Sequence, residues 1–145
     1  MLDELVNINT GDRAVQAREI VNGEVACVAD RDENDYVSGR ARVVVKNEEK
    51  IVGLDEFQPG EILVTQMTDP SMEEQMAKAA AFITDKGGQT SHAAIISREM
   101  NRFCIIGTDS ATGRIKTGDM LYMSYRQPSL GKMEFDGYAC REDEK

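Results

Sequence analysis

The sequence predicts an α/β domain with short strands and two or three helices, and two observations lead to this prediction. First, short β-branched or apolar runs of buried-strand length recur along the chain, at residues 40–45, 62–65, 80–84, 104–106 and 121–125. Second, two segments place apolar residues at helical spacing, one opening near Asp69 and one near Ser91.

Length and charge limit the classes of function. With 145 residues the chain is long enough for one domain with its own core. Its net charge of −9 and its scattered basic residues argue against a nucleic-acid or an acidic-membrane partner, because both partners need clustered Lys and Arg. No apolar run approaches membrane-spanning length, and the first twenty residues lack a secretory apolar region. We therefore expect a cytoplasmic protein.

Cysteine usage argues against a disulfide framework and against a metal centre. Cys27, Cys104 and Cys140 are an odd number without a Cys-x-x-Cys spacing, and the chain has one histidine. We expect no metal or other cofactor bound by this chain. Cys104 lies inside an apolar run, which predicts a buried thiol.

The two ends of the chain give weaker signals. Residues 1–37 are interpreted as an N-terminal extension, with a short helix and one or two strands around a turn at Asn22-Gly23 and a charged loop at 30–35. Residues 136–145 are interpreted as an acidic C-terminal tail, frayed from Arg141 onwards.

The middle of the chain alternates strands with helices. After strands at 40–45 and 62–65, Asp69 is expected to cap a helix that has Pro70 in its first turn. One side of that helix is apolar, and the residues on it are Met72, Met76, Ala79 and Ala80.

A second helix follows the strand at 80–84 and the loop at Gly87-Gly88. Ser91 is its predicted N-cap, so His92 falls in its first turn. The predicted apolar stripe consists of Ala93, Ala94, Ile95, Ile96 and Met100, and the wetter side of Ser97, Arg98 and Glu99.

The last third is expected to be β-rich. The buried strand at 104–106 ends at Gly107, and residues 111–120 form a connection bounded by turns. A strand at 121–125 then pairs with a return arm at 130–135.

The position of His92 suggests nucleophilic chemistry on phosphate. Unpaired N–H groups and the positive end of the helix dipole favour anions at a helix N-terminus, by about 0.3–2 kcal/mol. A neutral imidazole there is a nucleophile that would form a phosphorylated, anionic product. Gly87 and Gly88 would let the backbone approach the phosphate, and Thr90 and Ser91 would offer hydroxyl donors. A lone histidine and a Gly-Gly turn are each common without function, and only their occurrence together favours a phosphate site.

These residues resemble a known signature. The run Gly-Gly-Gln-Thr-Ser-His-Ala-Ala-Ile-Ile-Ser-Arg-Glu at 87–99, followed by Cys-Ile-Ile-Gly-Thr, is similar to the phosphohistidine motif of the phosphoenolpyruvate-utilising enzymes. The segment at 60–70 resembles the phosphoenolpyruvate synthase branch of that family. The resemblance covers residues 38–135.

The resemblance implies a swivelling β/β/α phosphohistidine domain at 38–135. In such enzymes the histidine, here His92, carries a phosphoryl group between an ATP-binding domain and a phosphoenolpyruvate/pyruvate barrel domain. Those partner domains use Mg²⁺, ATP and phosphoenolpyruvate. This chain has no Gly-rich nucleotide loop and no eightfold strand–helix alternation, so turnover would need partner domains in cis or in trans.

Two departures from the family pattern affect the interpretation. Gln89 stands where members often have Arg or Met, and it offers phosphate only a neutral donor. Phe103 replaces the usual Pro of the turn before the last apolar run.

Three alternatives remain beside the carrier. A module of the same fold would dock without being phosphorylated, and a related phosphotransferase would use another acceptor. A hydrolase with Ser91 as nucleophile is disfavoured, because neighbouring helical side chains point apart.

Overall fold

In the computed structural model, which describes residues 5–9, 14–30, 36–128 and 130–143, the chain forms nine strands and three short α-helices. The strands are β1 Leu5–Asn9, β2 Ala14–Cys27, β3 Val37–Asn47, β4 Lys50–Val52, β5 Ile62–Thr65, β6 Ala81–Thr84, β7 Phe103–Ile106, β8 Met120–Arg126 and β9 Asp136–Glu142. The helices are α1 Glu73–Lys78, α2 His92–Met100 and α3 Ala111–Arg114, and a 3-10 turn at Pro70–Met72 leads into α1. The predicted α/β class is confirmed.

Seven of the strands close into a ring. Their order is β2-β7-β6-β5-β3-β8-β9, and β9 pairs back onto β2. The neighbours β3, β5, β6 and β7 run parallel to one another, whereas the other ring pairs are antiparallel. Outside the ring, β1 pairs antiparallel with the first residues of β2, and β4 pairs antiparallel with the end of β3. Ring closure covers the sheet edges that β2 and β9 would otherwise expose.

Side-chain alternation gives the ring an inner and an outer core. In β5, Ile62 and Val64 belong to the inner cluster, while Leu63 packs in an outer cluster with Met76 of α1 and Ala94 of α2. Each ring strand contributes to the inner cluster, for example with Val21, Val37, Ile62, Ile83, Ile105, Met123 and Ala139. Strands covered on both faces read as continuous apolar runs, which is why the sequence pattern located them.

The central strands of the structure lie where the sequence predicts them. The predicted strand at 62–65 is β5, and those at 80–84 and 104–106 match β6 and β7 within one residue. Met72, Met76 and Ala79 are buried as expected. Within the described residues, no helix is both long and apolar enough to cross a membrane.

The predicted turn at Asn22-Gly23 is wrong. Both residues lie inside the long strand β2, where Gly23 pairs with Gly137 of β9. A Cβ on Gly23 would lie 2.3 Å from the carbonyl oxygen of Ile106, so this glycine permits close approach of β7 and makes no turn. Residues 14–27 form one strand and no helix. Of the predicted charged loop at 30–35, residues 31–35 lie outside the described residues.

The predicted return arm at 130–135 is also misplaced. Strand β9 starts at Asp136, whereas Leu130 and Met133 are almost fully exposed. Most of the segment interpreted as an acidic tail is therefore strand. The predicted fraying is wrong for Arg141, which pairs with β2 and β8, and for Glu142, which pairs with β2. Residues 144 and 145 lie outside the described residues.

The faces of α2 differ from the predicted stripe at two positions. Ile95, expected in the core, is 46% exposed, and Ser97, expected on the wet side, is fully buried. The Ser97 hydroxyl donates to the carbonyl oxygen of Ala94 at 2.8 Å. This hydrogen bond within the helix satisfies the hydroxyl and makes its burial tolerable.

The close approach at Gly23 gives a stability test. We expect Gly23→Ala to lower the free energy of unfolding by roughly 1–3 kcal/mol, because the added methyl group overpacks the contact between β2 and β7. Gly113→Ala is the matched control, since a Cβ there meets nothing within 4 Å. Urea unfolding measures both variants, and a Gly23→Ala midpoint equal to that of Gly113→Ala would contradict the packing argument.

Candidate functional site

The candidate site lies where the connections after β5 and β6 emerge side by side. These strands are parallel neighbours, and their last residues, Thr65 and Thr84, are register partners. The chain leaving β5 leads to α1, and the chain leaving β6 leads through residues 85–91 to α2. The edge at the carboxyl ends of parallel strands is the usual place for ligand sites in α/β sheets.

His92 joins the two connections through both of its ring nitrogens. Nδ1 lies 2.7 Å from Oγ1 of Thr68, and Nε2 lies 2.9 Å from Oε2 of Glu73. Thr68 is buried, at 7% exposure, whereas the Glu73 side chain is 42% exposed. Nδ1 therefore faces the protein interior, and Nε2 faces the wetter side.

The partners of His92 determine which nitrogen of a neutral ring carries the proton. An ionised carboxylate only accepts hydrogen bonds, so the bond to Glu73 needs the proton on Nε2. Nδ1 then accepts from the Thr68 hydroxyl, which is able to donate or to accept. In this arrangement the one lone pair of the ring, on Nδ1, accepts from Thr68, and Nε2 carries the proton.

The cap of the 3-10 turn Pro70–Met72, which leads into α1, lies between the two partners of His92. Asp69 Oδ1 accepts from the backbone N–H of Ser71 at 2.8 Å, and the Ser71 hydroxyl donates to the same oxygen. Asp69 follows Thr68 directly, and Glu73 occupies the first turn of α1, where an acid is favoured by the helix dipole. The predicted capping role of Asp69 is confirmed.

The environment of Asp69 favours its ionised form. The hydroxyl bond from Ser71 is the largest cause that lowers the pKa of this carboxyl below its ordinary value. Burial opposes that shift, while the Ser71 N–H and the charge of Lys46 add to it. The cap therefore contributes most when Asp69 is deprotonated.

The loop before α2 is shaped by Gly87 and Ser91. Gly87 has a φ of 110°, in the left-handed region, and its Cβ would lie 3.0 Å from the Ser91 hydroxyl oxygen. That hydroxyl donates to the carbonyl of Gly88 at 2.8 Å and accepts from Ala94 N at 3.4 Å, so Ser91 is the N-cap as predicted. A Cβ on Gly88 would meet nothing within 4 Å.

Gln89 is held by protein partners in this structure. Its side-chain amide donates to Glu24 Oε1 at 3.1 Å and to the carbonyl of Val25 at 3.2 Å. Its side-chain carbonyl accepts from the guanidinium of Arg98, which also donates to the Gln89 backbone carbonyl at 2.7 Å. These bonds fasten the loop to β2. Thr90 is exposed, and a phosphate-supporting role for residues 87–91 stays a prediction.

Two residues of the adjacent strand β7 have structural roles. Phe103, which replaces the usual Pro, is fully buried in the inner cluster and meets Tyr125 edge to face with ring centroids 6.1 Å apart. Cys104 is fully buried, as predicted, and burial raises its pKa to about 12. A thiol with so high a pKa is a poor nucleophile at neutral pH.

Sequence reasoning missed Thr68 and Glu73 as partners of His92. They precede it by 24 and 19 residues, and only the parallel pairing of β5 with β6 brings them to it. One signal was present, because the segment at 60–70 resembles the family segment that precedes the histidine motif.

Comparison with known proteins identifies related sequences. Residues 57–126 match a family model described as "PEP-utilising enzyme, mobile domain". The chain is 41% identical over 128 residues to the phosphoenolpyruvate synthase of Aquifex aeolicus, which covers 88% of this chain and 14% of that protein. It is 42% identical over 105 residues to the phosphoenolpyruvate synthase of Pyrococcus furiosus, which covers 72% of this chain and 12% of that protein.

These relatives are much longer than this chain, which spans 14% and 12% of their lengths. Among solved structures, an NMR solution structure of Enzyme I aligns with 50% of this chain and 30% of its own, at 29% identity. Its TM-score of 0.43 is too low to establish a common fold.

The Asp69 cap gives a pH-dependent test. We expect Asp69→Ala to lower the free energy of unfolding by about 1 kcal/mol at neutral pH, the usual effect of removing an N-cap. The pKa of Asp69 is lower in the folded state than its ordinary value of 3.8. The cap therefore stabilises the fold fully at pH values above 3.8, and this stabilisation is lost as the pH falls through the lower pKa of the folded state. The deficit of the variant should therefore shrink below about pH 4.

Urea unfolding at neutral and acidic pH measures this deficit. Asp69→Asn is the control, because Asn caps a helix without titrating. A deficit for Asp69→Ala that stays constant over the acidic range would contradict the assigned role of the carboxylate.

Proposed function

The chain belongs to the phosphoenolpyruvate-utilising enzymes through their mobile domain, and we propose that it is a phosphoryl carrier in which Nε2 of His92 is transiently phosphorylated. The observation that carries the proposal is the setting of this one ring. His92 opens α2, its Nδ1 is held by the buried Thr68, and its Nε2 faces the wetter side.

The phosphorylation step follows from this geometry. With the ring proton on Nδ1, the lone pair of Nε2 attacks the phosphorus of the donor, a P–N bond forms, and the bond to the leaving group breaks with its electron pair. The phosphoryl oxygens then lie near the N-terminus of α2, where N–H groups and the helix dipole stabilise an anion. Thr68 keeps the ring oriented through Nδ1. The P–N bond is labile enough for the reverse transfer to an acceptor.

The partners in this proposal are domains that this chain does not supply. An ATP-binding domain would phosphorylate His92, and a Mg²⁺-dependent barrel domain would exchange the phosphoryl group with pyruvate or phosphoenolpyruvate. The names of the relatives, phosphoenolpyruvate synthases, support this pair of reactions, and their greater length leaves room for such domains. The carrier would bind no cofactor itself, and it would work in the cytoplasm, where ATP and phosphoenolpyruvate are used.

A carrier that visits two sites has to move between them. We propose that the ring of strands with α1 and α2 swivels as one unit and presents His92 to each partner in turn. The shared outer core supports this, since Met76 of α1, Ala94 of α2 and Leu63 of β5 belong to one buried cluster.

A docking module that is never phosphorylated is the second candidate. The observation in its favour is that the Gln89 side chain bonds to Glu24, Val25 and Arg98 in this structure, so that it offers no group already directed to a phosphate. A phosphotransferase with another acceptor would share the carrier chemistry and differ only in its partner domain.

Phosphorylation of His92 is tested by intact-mass spectrometry at alkaline pH. The full chain is incubated with phosphoenolpyruvate, Mg²⁺ and the barrel domain of a phosphoenolpyruvate synthase, beside a His92→Ala variant. We expect one acid-labile phosphoryl adduct on the wild type and none on the variant. If the barrel domain phosphorylates another carrier but leaves this chain unmodified, the docking module is the better account.

The role of Thr68 is tested in the same reaction. We expect Thr68→Val to slow formation of the adduct roughly fivefold, because the loss of a hydrogen bond of about 1 kcal/mol lets the ring leave its orientation. Thr68→Ser keeps the hydroxyl and should restore most of the rate. Equal rates for Val and Ser would show that the hydroxyl does not position the ring.

A further inference from the structure

Glu73 occupies the ring nitrogen that the proposed reaction uses. Its carboxylate oxygen Oε2 lies 2.9 Å from Nε2 of His92. With Thr68 on Nδ1, both nitrogens of the imidazole are hydrogen-bonded, and the bond to a carboxylate needs the proton on Nε2. The nitrogen that would attack phosphorus has no free lone pair in this arrangement.

We propose that Glu73 is a positioning residue that latches His92 in the resting carrier. Its carboxylate keeps Nε2 protonated and covers it, so that the ring accepts a phosphoryl group only after docking draws the carboxylate away. This inference rests on the proposed carrier function.

Release of the latch needs the ring proton to change nitrogen. The proton leaves Nε2 and a proton is bound at Nδ1 through water, while the Thr68 hydroxyl turns from donor to acceptor. Nε2 then carries a lone pair, and the Glu73 carboxylate has no donor left on the ring. The count of protons on the imidazole is unchanged, and the attack on phosphorus proceeds from this second tautomer.

Electrostatics support the same order of events. A phosphoryl donor is an anion, and a carboxylate beside Nε2 repels it. A cationic side chain or a Mg²⁺ ion at the donor site of the partner has the charge to attract Glu73 and to neutralise the donor. The latch would thus open where a partner supplies positive charge and stay closed in free solution.

The two partners of His92 differ in how readily each can leave. Thr68 is 7% exposed and precedes the capping residue Asp69, whereas the Glu73 side chain is 42% exposed in the first turn of a six-residue helix. A partly exposed carboxylate regains water when it turns away, so its departure costs less than that of a buried hydroxyl. Glu73 is therefore the member that moves.

Glu74 provides a matched control. It is the next residue in the same first turn of α1, is also acidic, and pairs through its carboxylate with Lys78 at 3.9 Å. Replacement of either glutamate by Ala removes one charge from the helix N-terminus, but only Glu73→Ala removes the partner of Nε2. General effects on α1 are thus common to both variants.

The first measurement is the tautomer of His92 by two-bond ¹H–¹⁵N NMR at mildly alkaline pH on the full chain. His92 is the single histidine of the sequence, so its signals need no further assignment. We expect the Nε2–H form in the wild type and in Glu74→Ala, and a shift towards the Nδ1–H form in Glu73→Ala. Glu73→Gln keeps the size of the side chain and serves as a second variant in case Ala disturbs α1. We expect it to shift the tautomer of His92 in the same direction.

The second measurement uses potassium phosphoramidate, a small phosphoryl donor that needs no partner domain. Its P–N bond breaks, ammonia leaves, and a P–N bond to His92 forms. We expect Glu73→Ala to be labelled roughly five to ten times faster than the wild type, as for loss of a partly exposed charge-assisted hydrogen bond, and Glu74→Ala at close to the wild-type rate.

The outcomes separate this inference from the proposed function. If Glu73→Ala keeps both the wild-type tautomer and the wild-type labelling rate, the latch is wrong, whether or not the carrier is phosphorylated enzymatically. If the latch behaves as expected but phosphoenolpyruvate and the barrel domain give no adduct, the carrier function fails and Glu73 is only a structural partner of His92.

Discussion

The parallel pairing of β5 with β6 is the constraint on which the site depends. Because the two strands leave the sheet at the same edge, the segment after Thr65 and the segment after Thr84 are held side by side. The first segment carries Thr68 and Glu73, and the second ends in His92. The two hydrogen bonds of the imidazole link these connections, so a change in strand register would separate the histidine from both partners.

The closed ring keeps that register in place. Both faces of β5 and β6 are covered, by the inner cluster on one side and by α1 and α2 on the other. A slip of one residue would exchange inner and outer side chains along the whole strand. The burial of Leu63 in the outer cluster and of Val64 in the inner cluster opposes such a slip. The packed ring of strands therefore holds the backbone of the site, and in the proposed latch only the partly exposed carboxylate of Glu73 moves.

Local signals were sufficient for the features that are set locally. The strand at 62–65, the caps at Asp69 and Ser91 and the place of His92 in its helix follow from short-range patterns of apolar and capping residues. Features that depend on distant contacts were missed. The sequence predicts a turn at Gly23 because the nearby carbonyl of Ile106 is not evident from the sequence. The last strand was predicted too early in the chain because Leu130 and Met133 are apolar yet exposed. Thr68 and Glu73 belong to the same class, since their role exists only through His92.

The most direct test of the central claim is ¹⁵N–³¹P NMR on the enzymatically phosphorylated, ¹⁵N-labelled chain, which identifies the nitrogen bonded to phosphorus. We expect coupling of ³¹P to Nε2 of His92, with Nδ1 still hydrogen-bonded to Thr68. Coupling to Nδ1 would contradict it, because that nitrogen faces the buried hydroxyl in this structure. Phosphorus on a residue other than His92 would contradict the carrier function itself.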